Sequence, residues 1–175
     1  MTTILALSGS LRAASRNTGL LRCAQAQAPR GVSVEIADLR DIPFYNADHP
    51  EPTPAVAQFF AQLERCDALL LACPEYNYSI APVLKNALDW ASRAPNNSLL
   101  AGKPTAIVSA GGGMGGSRAQ YHLRQVAVCL KLNVLLAPEL FANAFGPDFN
   151  EAGDVVGERT RALVAGQLDA LLALR

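Results

Sequence analysis

The chain has 175 residues, half of them hydrophobic, and its acidic and basic residues balance to a formal net charge of zero. This length suits one domain with a sizeable core, so we predict a single domain over residues 1–175. The interspersed charges argue against nucleic acid or an anionic membrane as a partner, so a ligand must be recognised locally. The start has no basic leader, and no apolar run approaches a membrane span, so we expect a cytoplasmic protein.

Strand and helix patterns alternate along the whole chain. Predicted strands cover residues 4–7, 32–37, 68–73, 104–109 and 133–137. Each strand is followed by apolar residues at helical spacing, as in the segment 82–91 and in the last helix from residue 155 onward. Right-handed helical crossovers then give an α/β fold with a doubly wound, five-stranded parallel sheet. The long connection over residues 38–54 is either a surface excursion or a wall over a ligand site.

The loop after the first strand, residues 9–18, is a candidate phosphate-binding loop. Hydroxyls, an amide, two arginines and free backbone N–H groups at a helix start are what a terminal phosphate needs. Its candidate ligands are Ser10, Arg12, Ser15, Arg16, Asn17 and Thr18. The Walker pattern G-x-x-x-x-G-K-[ST] is absent, which argues against a nucleotide triphosphatase. Arg16 alone also fits a solvated residue at a helix start.

The loop after the third strand carries a second candidate site. Pro74 stops the strand because it has no N–H for the sheet, and Ser79 is predicted to cap the next helix with Pro82 in its first turn. Open α/β sheets bind ligands at the carboxyl ends of their strands. The side chains placed there are those of Pro74, Glu75, Tyr76 and Asn77. They suit a planar heterocycle, although a βα loop that is polar only for solubility would look similar.

The fourth strand runs into a glycine-rich loop. Residues 111–116 formally satisfy the dinucleotide pattern G-x-G-x-x-G, and Glu139 lies roughly where its ribose-binding acid would fall. Five glycines in six residues match almost any glycine pattern, so we favour close backbone approach to a bound ring. The residues expected at that ring are Ser109, Ala110, Gly111 and Gly112.

Metal and disulfide chemistry are not expected. The four cysteines fall singly and are predicted to be buried thiols: Cys23, Cys66, Cys73 and Cys129. His49 and His122 lie far apart and no acidic cluster has ligand spacing, so we predict no metal site.

The two loops together resemble the NADPH-dependent FMN reductase family, which includes bacterial quinone, chromate and azo-dye reductases. The resemblance rests on Gly9-Ser-Leu-Arg-x-x-Ser-x-Asn17, Pro74-Glu-Tyr-Asn77 and Leu84-Lys-Asn-Ala-x-Asp-Trp90, and it covers nearly the whole chain. The chain has Ala81-Pro82 where family members usually have Pro-Gly. The resemblance implies a flavodoxin-like fold with strand order 2-1-3-4-5. In that order the two loops face each other across the switch point of the sheet.

The same resemblance implies FMN as cofactor and NADPH or NADH as electron donor. It places the FMN phosphate on the first loop and the ring against residues 74–77 and 109–112. No catalytic side chain is predicted, because the flavin carries the chemistry and the donor and acceptor use the same ring face in turn. Quinones, free flavins, azo dyes and chromate are possible acceptors, and quinones are favoured on family analogy alone.

Two other classes of function are open: a flavodoxin-like electron carrier without a nicotinamide substrate, and a non-catalytic FMN-binding module. Flavodoxins are usually acidic and lack arginine in the phosphate loop, whereas this chain is neutral and has Arg12 and Arg16. The complete phosphate loop argues against the module. A reductase is therefore the prediction.

The fourth helix predicts an assembly. Its apolar residues cover more than one face: Tyr121, Leu123, Val126, Val128 and Leu130. The resemblance implies a homodimer in which a neighbour completes the wall over the flavin, or a homotetramer that uses Arg118, Tyr121 and Glu139. Alternatively, Arg118 and Glu139 are simply exposed to solvent, where ion pairs contribute little.

Overall fold

A parallel sheet between two layers of helices organises the computed structural model, which describes residues 1–174. The strands are β1 Thr2–Ser8, β2 Val32–Ile36, β3 Ala68–Ala72, β4 Glu75–Tyr76, β5 Ser79–Ile80, β6 Pro104–Gly111, β7 Asn133–Val134 and β8 Leu140–Asn143. The helices are α1 Arg16–Ala26, α2 Pro54–Arg65, α3 Pro82–Ala91, α4 Ser117–Cys129 and α5 Glu158–Ala173, with a 3-10 turn at Pro95–Asn97.

The sheet confirms the predicted doubly wound α/β fold. Its order is β2-β1-β3-β6, and β7 and β8 both pair with β6 in parallel, so together they fill the place of the fifth strand. The predicted strand over residues 133–137 has the wrong end, because the chain leaves the sheet after Val134 and returns as a separate strand at Leu140. Pro138 lies in this interruption, and a proline has no N–H to offer a sheet ladder.

The core divides between the two faces of the sheet, as the alternation of side chains along a strand requires. Leu5 and Leu7 of β1 pack with the face that carries α2, α3 and α4, while Ile4 and Ala6 pack with the face that carries α1 and α5. All five residues of β3 are buried, which explains its unbroken apolar sequence. The carboxyl ends of β1, β3 and β6 therefore meet at one edge of a rigid sheet.

The segment after β3 differs from the predicted plain loop. β4 and β5 form an antiparallel hairpin, and the turn residues Asn77 and Tyr78 both have positive φ, at 50° and 67°. The predicted Ser79 cap is wrong, because Ser79 pairs with Tyr76 in the hairpin and the capping position of α3 is Ala81, without a side-chain bond. Pro82 does open α3, as predicted.

The long connection over residues 38–54 is fastened to α3. The Pro43 carbonyl accepts hydrogen bonds from Asn86 Nδ2 at 2.9 Å and from Trp90 Nε1 at 2.7 Å, and the Tyr45 N–H donates to Asn86 Oδ1 at 2.9 Å. Within residues 1–174, none of the connection lines the cavity described below. The structure therefore favours the surface excursion, and a wall over the ligand site stays a prediction.

The prediction of four buried thiols is only half right. Cys66 and Cys73 are buried, Cys23 is half-buried and Cys129 is exposed. Burial raises the pKa of the Cys73 thiol to about 12 and raises the pKa of Cys66 as well. The thiolate is the reactive form, so these two residues are protected both by access and by ionisation.

Native protein treated with a thiol reagent at mildly alkaline pH is expected to label Cys129 first, and Cys66 and Cys73 only after unfolding. Peptide mass spectrometry over time measures the order. Cys129→Ser should remove the fast phase. Labelling of Cys73 at the rate of Cys129 would contradict the burial described here.

Among residues 1–174, no helix is long and apolar enough to cross a membrane. The same part of the chain contains no group of three or more His, Cys, Asp or Glu side chains placed to hold a metal ion. The single domain over residues 1–175 stays a prediction.

Candidate functional site

A cavity of about 290 Å³ opens where β1, β3 and β6 end. Four segments line it: the loop into α1, the start of the β4–β5 hairpin, the glycine-rich loop before α4, and the residues that follow β8. The predicted site residues that line it are Ser10, Arg12, Ser15, Arg16, Asn17, Pro74, Glu75, Tyr76, Ala110, Gly111 and Gly112. The two loops singled out in the sequence therefore meet at one site.

Three predicted site residues do not line the cavity. The Thr18 hydroxyl shares a hydrogen bond of 2.8 Å with the Ser8 hydroxyl. Ser109 is fully buried, where its hydroxyl donates to the Gly115 carbonyl at 2.6 Å. Asn77 lies exposed at the hairpin turn. Thr18 and Ser109 thus support the loops from beneath, and Asn77 stands outside the cavity.

One end of the cavity is built for an anion. Ser15 caps α1 by accepting a hydrogen bond from the Thr18 N–H at 3.3 Å, and the first-turn amides of Arg16 and Asn17 have no intrahelical carbonyl to bond. Arg16 Nε is buried, and within residues 1–174 it has no hydrogen-bond partner. A helix start with an unpaired guanidinium N–H beside it matches the needs of a phosphate.

Asn17 connects two segments of the site. Its Nδ2 donates to the Ala110 carbonyl at 2.8 Å, and its Oδ1 accepts from the Ala110 N–H at 3.0 Å. This paired hydrogen bond joins the start of α1 to the end of β6. The side chain therefore positions the two loops, and its role as a cofactor ligand stays a prediction.

The first loop also approaches the second closely at Gly9. A Cβ added there would lie 2.7 Å from Pro74 Cδ and 3.1 Å from Ala81 Cβ. Any side chain would push the two halves of the site apart, which explains a glycine at this position. The Gly9 N–H bonds to the Ala72 carbonyl at 2.9 Å and fixes the start of the loop to β3.

The other end of the cavity holds an ion pair. Glu75 Oε1 accepts a hydrogen bond from Arg118 Nε at 2.7 Å, and the Glu75 side chain is only 11% exposed. The Arg118 guanidinium also lies over the Tyr78 ring, 3.8 Å from its centroid. The hydrogen bond with Glu75 raises the pKa of Arg118, so this guanidinium stays charged. Arg118, predicted at a subunit interface, is thus engaged within its own chain.

One carboxylate oxygen of Glu75 has no hydrogen-bond donor among the described residues. This oxygen, Oε2, is buried. A buried acceptor without a donor is costly. The arrangement therefore suits a bound molecule that brings an N–H or O–H to this place.

The glycine-rich loop needs glycine at several positions because of its own backbone conformation and its close internal contacts. Gly115 and Gly116 have φ of +59° and +85°, and a Cβ on Gly111 would lie 2.7 Å from the Gly116 nitrogen. These features explain Gly111, Gly115 and Gly116 without a dinucleotide pattern, whereas a Cβ on Gly113 would meet nothing within 4 Å. Glu139 pairs with Arg124 at 3.5 Å and lies outside the cavity lining of residues 1–174, so the structure gives the Rossmann alternative no support.

Sequence reasoning missed several lining residues: Gly113, Met114, Gly116, Arg118, Ala144 and Phe145. Ala144 and Phe145 reach the cavity because β8 pairs with β6, and the Ala144 N–H bonds to the Gly111 carbonyl at 2.7 Å. The predicted fifth strand ends at residue 137, so the sequence prediction did not include the pairing of residues 140–143 with β6. The glycines before α4 were the signal that could have found Gly113, Met114 and Gly116.

The fold and the site define a flavodoxin-like α/β protein with an anion-binding loop beside a cavity for a flat ligand. The sequence model described as NADPH-dependent FMN reductase matches residues 2–146. An NAD(P)H-dependent FMN reductase of Pseudomonas aeruginosa is 45% identical over 174 residues, covering 96% of this chain and 92% of that protein. The chain belongs to the NADPH-dependent FMN reductase family.

Further comparisons agree. An NAD(P)H:quinone oxidoreductase of Solanum tuberosum is 45% identical, covering 98% of this chain and 91% of that protein. The solved structure of FerB, a flavoenzyme NAD(P)H:(acceptor) oxidoreductase from Paracoccus denitrificans, is 28% identical with a TM-score of 0.89, covering 99% of this chain and 97% of that one. The predictions of an oxidoreductase, of FMN and of a nicotinamide donor are confirmed.

The chemistry of the lining residues fits FMN independently of the comparisons with known proteins. Arg16 Nε and the open amides of α1 match a terminal phosphate, and Glu75 Oε2 at the far end matches a donor on a ring. Between them, residues 110–112 present backbone with little side chain in the way. The orphaned polar atoms thus lie at the two ends where a phosphate and a heterocycle would require them.

Proposed function

We propose that this protein is a quinone reductase that holds FMN in the cavity and uses NADPH or NADH as electron donor. FMN supplies the redox chemistry when bound, since it exchanges two electrons with a nicotinamide and with a second substrate. The observation that carries the proposal is one open cavity that has Arg16 and the start of α1 at one end, and Tyr76 beside the paired Glu75 and Arg118 at the other.

The proposed cofactor contacts divide between the two ends. Ser10, Arg12, Ser15 and Arg16, with the first-turn amides of α1, would hold the phosphate. Pro74, Glu75, Tyr76 and the backbone of residues 110–112 would hold the ring. Asn17, Thr18 and Ser109 would keep these segments in register through the hydrogen bonds described above.

The choice of quinones over oxyanions rests on charge. The guanidinium of Arg118 is neutralised by Glu75 and covered by Tyr78, so the ring end shows no unpaired cation among the described lining residues. Arg12 and Arg16 lie at the phosphate end. An oxyanion such as chromate would find little attraction beside the ring, whereas a quinone is flat and uncharged.

The described residues of the lining include no histidine. The carboxylate at the ring end is that of Glu75, which is paired with Arg118, and His122 contacts Ser79 outside the cavity lining of residues 1–174. Solvent at the open mouth can supply protons. We therefore assign no catalytic side chain.

Assembly and location are further parts of the proposal. Tyr121 and Val128 of α4 are exposed, which supports an interface in a homodimer or homotetramer. Arg118 and Glu139 already have partners within the chain, so such an interface would rest first on the apolar residues. A cytoplasmic location suits the use of NADPH or NADH.

Reduction of the FMN-loaded protein with NADPH without oxygen, followed by rapid mixing with either a naphthoquinone or chromate, tests the acceptor. We expect the quinone to restore the visible flavin spectrum faster than chromate, by about tenfold or more, because the ring end lacks a free cation. Reduced free FMN is the control for reactions without protein. Equal rates with both acceptors, or a faster reaction with chromate, would overturn the choice of quinones.

A further inference from the structure

The mouth of the cavity carries large apolar side chains that are open to solvent. Phe145 is 82% exposed, Met114 is 56% exposed and Tyr76 is 43% exposed, and they come from three different segments of the chain. Exposed apolar groups gathered at a cleft mark a surface that binds something. Their continuity with the cavity points to an occupant that enters it.

The backbone at Phe145 is held by its neighbours. The Ala144 N–H bonds to the Gly111 carbonyl at 2.7 Å, and the Phe145 N–H bonds to Asn143 Oδ1 at 3.0 Å. The ring lies beside the glycine-rich loop, with Cε2 at 3.8 Å from where a Cβ on Gly112 would stand. This aromatic ring extends the wall of the cavity outward from the end of β6.

Charge and shape together define what would fit against this wall. Arg118, which also lines the cavity, is paired with Glu75, and the lining includes the Tyr76 ring. Aromatic rings attract flat apolar molecules in stacked or edge-on contact. A molecule with a second fused ring has more apolar area to bury against these side chains than a molecule with one ring.

We propose that Phe145, supported by Met114, determines acceptor specificity by favouring fused-ring quinones of the naphthoquinone class over single-ring benzoquinones. The inference rests on the proposed quinone reductase function and names the acceptor class of the same site. Discrimination arises from apolar area buried only by the larger acceptor.

Phe44 offers a matched control. It is also a phenylalanine and 80% exposed, but it borders a separate groove with Pro82 and Val83 and does not line the cavity. Removing either ring deletes the same atoms from the protein surface. An effect specific to Phe145 therefore reports the cavity mouth.

The experiment compares Phe145→Ala, Met114→Ala and Phe44→Ala with the parent protein, using menadione and 1,4-benzoquinone at saturating NADPH. We expect Phe145→Ala to lower kcat/KM for menadione about tenfold and for benzoquinone by less than about twofold, with a smaller effect in the same direction for Met114→Ala. Phe44→Ala should change neither value. Menadione binding to the FMN-loaded protein without NADPH, followed by the change in the visible flavin absorbance, should weaken in parallel while FMN affinity is unchanged.

Equal losses for both quinones, or no loss in Phe145→Ala, would overturn the specificity role while leaving the quinone reductase function intact. A parent protein that oxidises NADPH with ferricyanide but reduces neither quinone would overturn both. A fall in molecular mass by light scattering in Phe145→Ala would overturn the inference in another way, by making the mouth a contact between two copies of this chain.

Discussion

Arg16→Ala is expected to weaken FMN binding by about 10- to 100-fold. Arg16 Nε is buried without a partner in the first turn of α1, where a phosphate would complete it. A hydrogen bond to a charged group contributes about 1.5–3 kcal/mol, and each 1.4 kcal/mol is about tenfold in affinity. Titration of refolded apoprotein with FMN, followed by quenching of flavin fluorescence, measures the change.

Arg22→Ala is the control for Arg16→Ala because it removes the same charge from the same helix. Arg22 pairs with Asp154 at 2.6 Å on a half-exposed surface and does not line the cavity. Its loss should leave FMN affinity within about twofold and cost under about 1 kcal/mol in stability. Equal effects of the two substitutions would mean that Arg16 acts only through net charge, and unchanged binding in Arg16→Ala would remove it from the phosphate site.

Asn17→Ala is expected to lower the free energy of unfolding of the apoprotein by about 2–4 kcal/mol. The substitution leaves both the N–H and the carbonyl of Ala110 without their partners in a buried place, and each unpaired group costs about 1–3 kcal/mol. Unfolding in guanidinium chloride measures the loss. FMN affinity should fall as well, since the two loops lose their connection.

Asn46→Ala is the control for Asn17→Ala. The Asn46 side chain is exposed and accepts one hydrogen bond, from the Asp48 N–H at 3.0 Å in the long connection. This change should cost less than about 0.5 kcal/mol and leave FMN binding as it was. If Asn17→Ala is as mild as Asn46→Ala, the paired hydrogen bond to Ala110 does not hold the site together.

The parts of the fold that can be predicted from the sequence depend on local patterns. The apolar run at residues 68–73 locates β3 because burial on both faces leaves no polar residue in that strand. The mainly apolar segment 104–109 likewise locates β6, although Thr105 and Ser109 are buried polar residues there. The composition of the loop at residues 9–18 indicated an anion-binding helix start for the same local reason.

The parts that could not be predicted depend on contacts between distant segments. Asn17 meets Ala110, 93 residues away, and Arg118 meets Glu75, 43 residues away. Neither pairing has a local signature, so the sequence does not show that these two side chains also connect segments of their own chain. Whether a polar side chain binds a ligand or another loop is decided by the tertiary fold.

The β4–β5 hairpin was not predicted because its turn has an unusual residue for its backbone conformation. Two-residue hairpin turns with positive φ usually contain Gly, Asn or Asp, and here Tyr78 occupies one of the two positions. Arg118 packs over the Tyr78 ring, which supports the residue in an uncommon conformation. The turn therefore depends on α4, which lies later in the sequence.

The most direct test of the central claim is anaerobic titration of the FMN-loaded protein with NADPH, followed by visible absorbance. If the cavity holds FMN for electron transfer, NADPH should bleach the bound flavin at once, while the same amount of free FMN without protein should change slowly, and added naphthoquinone should restore the spectrum. A bound flavin that keeps its oxidised spectrum with excess NADPH would contradict the claim.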